Sequence, residues 1–157
     1  MYIQSKFTKV GSDWVNKVSL FNRGLFITYG LWDNLSWKKD EMTLYDIQKI
    51  NKRFIRRLEK KSNVHQRNRL ERFLVTETDR PKNHCHMVME TPIHLSKEMM
   101  LKNIIEGLRE TKGLGKLDIR NVRYKTGLVE YLCKELRPKK DSIEWENCYF
   151  RDRDNNF

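Results

Sequence analysis

This chain of 157 residues is poor in the residues that punctuate or staple a fold, with seven glycines, three prolines and three cysteines. Cys85, Cys133 and Cys148 stand at wide spacings and form no Cys-x-x-Cys pair. Neither a disulfide framework nor a zinc knuckle is indicated, and a reducing cytosol is the simplest setting. There is no Pro/Gly/Ser-rich linker, no internal repeat and no low-complexity stretch, so one domain over residues 1–157 is expected. No apolar run approaches the ~20 residues needed to span a bilayer. The opening Met1-Tyr2-Ile3-Gln4-Ser5-Lys6 lacks the apolar core of a secretory signal, so no membrane partner is expected. Gly113-Leu114-Gly115-Lys116 lacks the spacing of a phosphate-binding loop, with Leu117 after the lysine, and no ATPase domain is indicated.

Negative charge is also scarce: 21 Asp and Glu face 32 Lys and Arg, for a net charge of +11. A globular chain this basic points to an anionic partner, and nucleic acid is the commonest. The stretch from Lys49 to Arg72 is rich in Lys and Arg, Lys49, Arg53, Arg56 and Arg57 among them. Arg120, Arg123 and Lys125 form a second basic group. Such charges would track phosphates and make binding salt-dependent. Trp14, Trp32, Trp37 and Trp145 are read as core residues ahead of base-stacking platforms.

Periodicity gives a coarse order of elements. Leu25-Phe26-Ile27-Thr28-Tyr29 reads as a strand after Gly24. Thr43 reads as an N-cap with Asp46 as the capping-box acid, followed by Leu44, Ile47, Ile50, Phe54 and Leu58 at helical spacing. Lys49, Lys52, Arg53, Arg56, Arg57 and Lys60 crowd the rest of that helix. Arg72 to Thr78 and His84 to Glu90 read as a hairpin around Asp79-Arg80-Pro81-Lys82-Asn83. Ser96 caps a second helix with Leu101, Ile104, Ile105 and Leu108 as its buried stripe, stopping near Gly113. Leu117 to Tyr124 reads as a fourth strand, Thr126 to about Leu136 as a third helix ended by Pro138, and Ile143 to Phe150 as a last strand or an irregular tail. Strand, helix, strand, strand, helix, strand, helix predicts an α+β fold, an antiparallel sheet with helices on one face.

The chemistry concentrates in the third strand. Alternate strand residues share a face, so His84 and His86 point the same way, and Cys85 between them faces the core as a small thiol. Two imidazoles suit a first-row divalent metal, and a phosphate-activating site also wants a hard oxygen ligand. Glu77 joins the histidines if it pairs opposite His84 or His86, whereas a one-residue slip would turn it away. Asp79 has the same parity and is held in reserve. His65 and His94 have no such neighbours and read as surface or capping residues.

The segment from Thr126 to Leu136 carries Tyr131 and Lys134 three residues apart, on one helical face. A His-x-His strand followed by a Tyr-x-x-Lys helix resembles the HUH endonucleases, specifically the rolling-circle replication initiators, over roughly residues 24–137. The resemblance implies a ferredoxin-like or RRM-like sheet with the histidines on a central strand. It also implies a glutamate on the neighbouring strand as third ligand, which favours Glu77. The implied activity is metal-dependent, sequence-specific nicking and joining of single-stranded DNA at a replication origin or hairpin. A phenol with a pKa near ~10 attacks only once it is deprotonated. Tyr131 would be that nucleophile, Lys134 would stabilise the phenolate or bind the scissile phosphate, and Mn2+ or Mg2+ would activate that phosphate. Tyr124 and Tyr29 are rival nucleophiles. A separately encoded helicase is implied as partner. The setting implied is the cytoplasm of a bacterial or archaeal cell, or a host nucleus for a eukaryotic virus.

Two further readings stand beside it. Relaxases place the tyrosine before the histidines, the opposite of this chain. Small HUH tyrosine transposases match in length and order but usually carry Gln four residues after the tyrosine; here that position is Glu135, an alternative third ligand, behind Lys134. A non-catalytic RRM-like nucleic-acid-binding module would show the same charge and element order.

Overall fold

In a computed structural model of the chain, the residues described are 21–31, 43–64, 69–77, 83–121, 141–143 (backbone only) and 147–150. β1 (Gly24–Leu31) leads to α1 (Leu44–Lys61), then β2 (Arg72–Glu77), β3 (His84–Glu90), α2 (Lys97–Glu110), β4 (Leu114–Asn121) and β5 (Asp141–Ile143). The first helix starts where the sequence places it. Thr43 Oγ1 accepts from the Asp46 backbone N–H while the Asp46 carboxylate accepts from the Thr43 N–H, a complete capping box. Ser96 caps α2 by accepting from the Met99 N–H. His94 serves the other terminus of α1, its Nε2 lying 2.8 Å from the carbonyl of the C-cap Ser62.

The five strands form one sheet in the order β4-β1-β3-β2-β5, with every neighbouring pair antiparallel. The architecture is α+β, an open antiparallel sheet with two helices among the described residues. β5 extends it beyond β2, while the third helix expected over residues 126–136 lies outside the described residues. β4 begins at Leu114, three residues earlier than the sequence suggests, because Gly113 (φ 96°) turns the chain directly out of α2. The register of β1 against β4 then shifts between Tyr29 and Gly30, leaving Lys116 (φ 38°) as a bulge. The glycine-rich segment that superficially suggests a phosphate loop is thus a strand start.

One sheet face carries the core. Leu25, Ile27, Tyr29 and Leu31 of β1 join Cys85, Met87 and Met89 of β3 and Leu74 of β2 against both helices. α1 contributes Ile47, Ile50, Phe54, Ile55 and Leu58; Leu44, expected in that stripe, is 43% exposed because the cap places it on the outer rim of the first turn. On α2 the buried stripe is Met100, Asn103, Ile104, Gly107 and Leu108, with Leu101 and Ile105 only partly buried. The rotation from the expected stripe has two causes. Asn103 is buried with its amide donating to Ser62 Oγ, and Gly107 is buried against the Phe54 ring, where a Cβ would make an ordinary van der Waals contact at 3.5 Å. Tyr29 is fully buried, donates its hydroxyl to Asn51 Oδ1 at 2.6 Å and meets Phe54 edge-on, which removes it as a rival nucleophile.

Arg72 also departs from the expectation of a solvated basic stretch. It is 1% exposed, donating from Nε to the Asn147 carbonyl at 2.6 Å and from a terminal nitrogen to the Leu70 carbonyl at 2.7 Å. Its guanidinium lies 3.8 Å from the Glu59 carboxylate. Burial pushes its pKa down to about 10, with Glu59 opposing the shift. A paired backbone bridge from Arg72 to Tyr149 completes the attachment of residues 147–150 to the sheet.

Candidate metal centre

The second sheet face is built from the residues that alternate with the core. On β1 these are Phe26 and Thr28, on β3 His84, His86 and Val88, and on β2 Phe73, Val75 and Glu77. Phe73, Val75 and Val88 are buried, so this face is apolar on the side away from its polar end. The two histidines sit on the central strand of the sheet, with β1 on one side and β2 on the other.

The register left open by the sequence is resolved in favour of Glu77. It pairs directly with His84, which puts the carboxylate on the face of both imidazoles, and Val75 pairs with His86. Diagonally, Glu77 Oε2 lies 3.3 Å from His86 Nε2, and the two side chains are only 11% and 15% exposed. The other imidazole nitrogen, His86 Nδ1, is 3.1 Å from Thr28 Oγ1, the residue directly opposite on β1. Phe26 stacks on the His86 ring with centroids 5.7 Å apart and planes 11° from parallel. His86 is therefore fixed from three sides: a carboxylate, a hydroxyl and an aromatic plane. Cys85, as expected, faces the core and accepts from the Asn51 amide.

Whether this donor set suits a divalent ion can be judged from two observations. Ligands each ~2.1 Å from one ion and ~100° apart lie ~3.2 Å from each other, close to the Glu77–His86 separation. Among the described residues His84 Nδ1 is buried with no hydrogen-bond partner, a ligand atom in want of one. Against these, no three His, Cys, Asp or Glu side chains among the described residues converge closely enough to hold an ion as they stand. Glu77 and His86 form a poised pair, and His84 stands two residues along the same face.

Other expected site residues divide into three groups. Arg120 pairs with Phe26 across β4 and β1 and so belongs to the histidine face, 73% exposed and bonded to Asp118. Lys49, Arg53, Arg56 and Arg57 are exposed on α1, which packs on the opposite face of the sheet. Tyr131, Lys134, Tyr124, Arg123, Lys125, Asp79 and Glu135 lie outside the described residues. Thr28 and Phe26 escape a reading by motif. The alternation of β1 marks them as a non-core pair, but only the pairing of β1 with β3 brings them to His86. Among the described residues no helix is long and apolar enough to cross a membrane. Comparisons with family models, curated proteins and solved structures returned no match to this chain.

Proposed function

We propose that this chain is an HUH-type endonuclease of the replication-initiator kind, which nicks and rejoins single-stranded DNA through Tyr131. The observation that carries the reading is the juxtaposition of Glu77 with His86 at 3.3 Å, on the face that also holds His84. Two features of the fold support it. Strands β1 to β4 follow the order β4-β1-β3-β2 with a helix after β1 and after β3, the connectivity of a ferredoxin-like domain. The histidines also occupy the central strand, where register is hardest to disturb.

In this reading Glu77, His84 and His86 are the residues that would hold one Mn2+ or Mg2+ ion, and that ion would supply Lewis acidity to the scissile phosphate. Thr28 orients His86 by occupying its second nitrogen. Tyr131 loses its phenolic proton and forms a bond from its oxygen to phosphorus. The bond from phosphorus to the 3′-oxygen breaks, and that oxygen leaves as a hydroxyl after taking up a proton. Lys134 places positive charge beside the phenolate or the scissile phosphate. The phosphodiester energy is retained in the 5′-phosphotyrosine, so a free 3′-hydroxyl reverses the step and joins strands. A small HUH transposase would use the same chemistry on paired ends.

One observation favours a second reading, a non-catalytic nucleic-acid-binding module. Both nitrogens of His86 already have protein partners in Thr28 and Glu77, as a purely structural histidine would. The test is incubation of labelled single-stranded DNAs with protein and Mn2+ or Mg2+, resolved on a denaturing gel that retains protein–DNA adducts. A metal-dependent adduct that disappears in Tyr131→Phe and in His84→Ala/His86→Ala is the expected result. Salt-sensitive binding with no cleavage of any hairpin or origin-like DNA would transfer the assignment to the binding module.

A further inference from the structure

α1 presents two faces of opposite character. Its buried stripe, Ile47, Ile50, Asn51, Phe54, Ile55 and Leu58, seals the core face of the sheet. At about 100° per residue, Lys49, Lys52, Arg53, Arg56, Arg57 and Lys60 fall within an arc of about 140° centred opposite that stripe. All six are exposed. They lie in two i, i+4 rows, Lys49-Arg53-Arg57 and Lys52-Arg56-Lys60, with charges every ~6 Å along each row.

None of Lys52, Arg53, Arg56, Arg57 and Lys60 forms an ion pair among the described residues. The two acids on α1 are otherwise engaged. Asp46 closes the capping box, and Glu59 accepts from the Leu70 N–H and faces Arg69 and Arg72. α2 shows the contrast, since its Glu106 pairs with Lys102 and, with Glu110, with Lys61 of α1. Like charges at i, i+4 each destabilise a helix by a few tenths of a kcal/mol, so the unrelieved ridge works against the stability of α1.

We infer that this ridge is a second nucleic-acid site, separate from the histidine face, which binds the backbone of a double-stranded segment. Its position follows from the fold: α1 covers the core face, and Glu77, His84 and His86 point out of the other. A single strand whose phosphate lay at the histidines could not lie on the ridge at that point. Duplex is favoured over single strand because, among the described residues, α1 carries one exposed aromatic, Tyr45, which continues the Lys49 row at the helix N-terminus and is covered by Lys49 Nζ at 4.1 Å, in place of the several platforms on which unpaired bases stack. A double helix, with one phosphate charge per ~1.7 Å, is the matching partner for fixed rows of cations. A lipid surface is disfavoured, since among the described residues the exposed large apolar side chains of α1 are Leu44 and Tyr45 alone, both at its N-terminal end. The inference holds whether or not the chain cuts DNA.

The test measures fluorescence anisotropy of a blunt 20-base-pair duplex against KCl, in EDTA so that no metal-dependent step intervenes. The wild type is compared with K52Q/R53Q/R56Q/R57Q and, as a control on α2, with K97Q/K102Q/R109Q. Losing four phosphate contacts lowers the slope of log affinity against log salt by about 3–4 and weakens binding about 10- to 100-fold near 0.15 M salt. The α2 variant keeps both values. The doubles K52Q/R56Q and R53Q/R57Q each give about half the change in slope, which a folding defect would not. An unchanged slope in the quadruple variant overturns the inference. Tighter binding of single strands than of duplex through these residues, or their loss affecting only phosphatidylserine vesicles, overturns the duplex assignment.

Discussion

Replacing Glu77 by glutamine separates the metal reading from simple packing. Without metal, the amide is isosteric and can donate to His86 Nε2 across the 3.3 Å gap, while the unfavourable burial of a carboxylate on a side chain only 11% exposed is relieved. The metal-free stability of Glu77→Gln therefore stays within about 1 kcal/mol of wild type. With Mn2+ at about one hundred times its dissociation constant, ligand linkage stabilises the wild type by about 2.7 kcal/mol. For a chain of this size that is a rise in Tm of about 5–10 °C. An amide at position 77 removes the charged ligand, and most of the rise goes with it. Thermal melts of both proteins, with EDTA and with a Mn2+ series, form a cycle in which the difference of differences isolates the ion. His84→Ala should lose the rise as well, since its Nδ1 is a buried nitrogen with no hydrogen-bond partner among the described residues. A wild type indifferent to Mn2+, Mg2+ and Zn2+, or a glutamine variant that gains as much as wild type, would refute the assignment.

Thr28→Val removes the hydroxyl at His86 Nδ1 and should weaken metal binding about 10- to 100-fold, with Thr28→Ser restoring it; titration calorimetry reads the first, and nitrogen NMR shifts of His86 report whether its tautomer has changed. Arg72→Ala strands the carbonyls of Leu70 and Asn147 beside Glu59 and should cost about 3–5 kcal/mol in urea unfolding, and Arg72→Lys should recover little of it because a single ammonium cannot reach both carbonyls. The Thr43 hydrogen bonds hold the Asp46 carboxyl below its ordinary value of 3.8, so its stabilisation is fully present above pH 3.8 and is lost as pH falls through the lower folded value. Asp46→Asn should remove that part of the acid dependence, measured as the difference in Tm between the two proteins at pH 6 and at pH 3.

What the sequence made legible was local in origin. Thr43 with Asp46 and Ser96 with Met99 are contacts within four residues, so the start of each helix can be read without knowing the fold. The hairpin that aligns Glu77 with His84 is nearly as local, though its register depended on turn geometry that parity alone could not fix. What stayed hidden was set by distant partners. The pairing of Thr28 with His86 spans 58 residues, and the bond from Arg72 to the Asn147 carbonyl spans 75. An arginine at the start of a strand has no sequence mark that distinguishes a solvated cation from one buried on carbonyls. On α2 the expected Ile104 and Leu108 are buried, but the stripe turns toward Asn103 and Gly107 for a similar reason, since these meet Ser62 and Phe54 across the helix pair.

The two faces of the sheet place opposite demands on the same strands, and β3 shows how the sequence meets both. Cys85, Met87 and Met89 are buried against the helices, so a one-residue slip of β3 would put two histidines into the apolar core. Desolvating an imidazole pair there is far more costly than leaving them on the other face, so the packing of one side fixes the aim of the other. Thr28 and Glu77 then hold His86 from the neighbouring strands, each at a register position fixed by its own core residues, Ile27 and Tyr29 on β1 and Leu74 on β2. The geometry at His86 is thus specified by hydrophobic burial on the far side of the sheet as well as by its own hydrogen bonds. The corollary is that core substitutions such as Met87→Ala should loosen the Glu77–His86 pair without touching either residue.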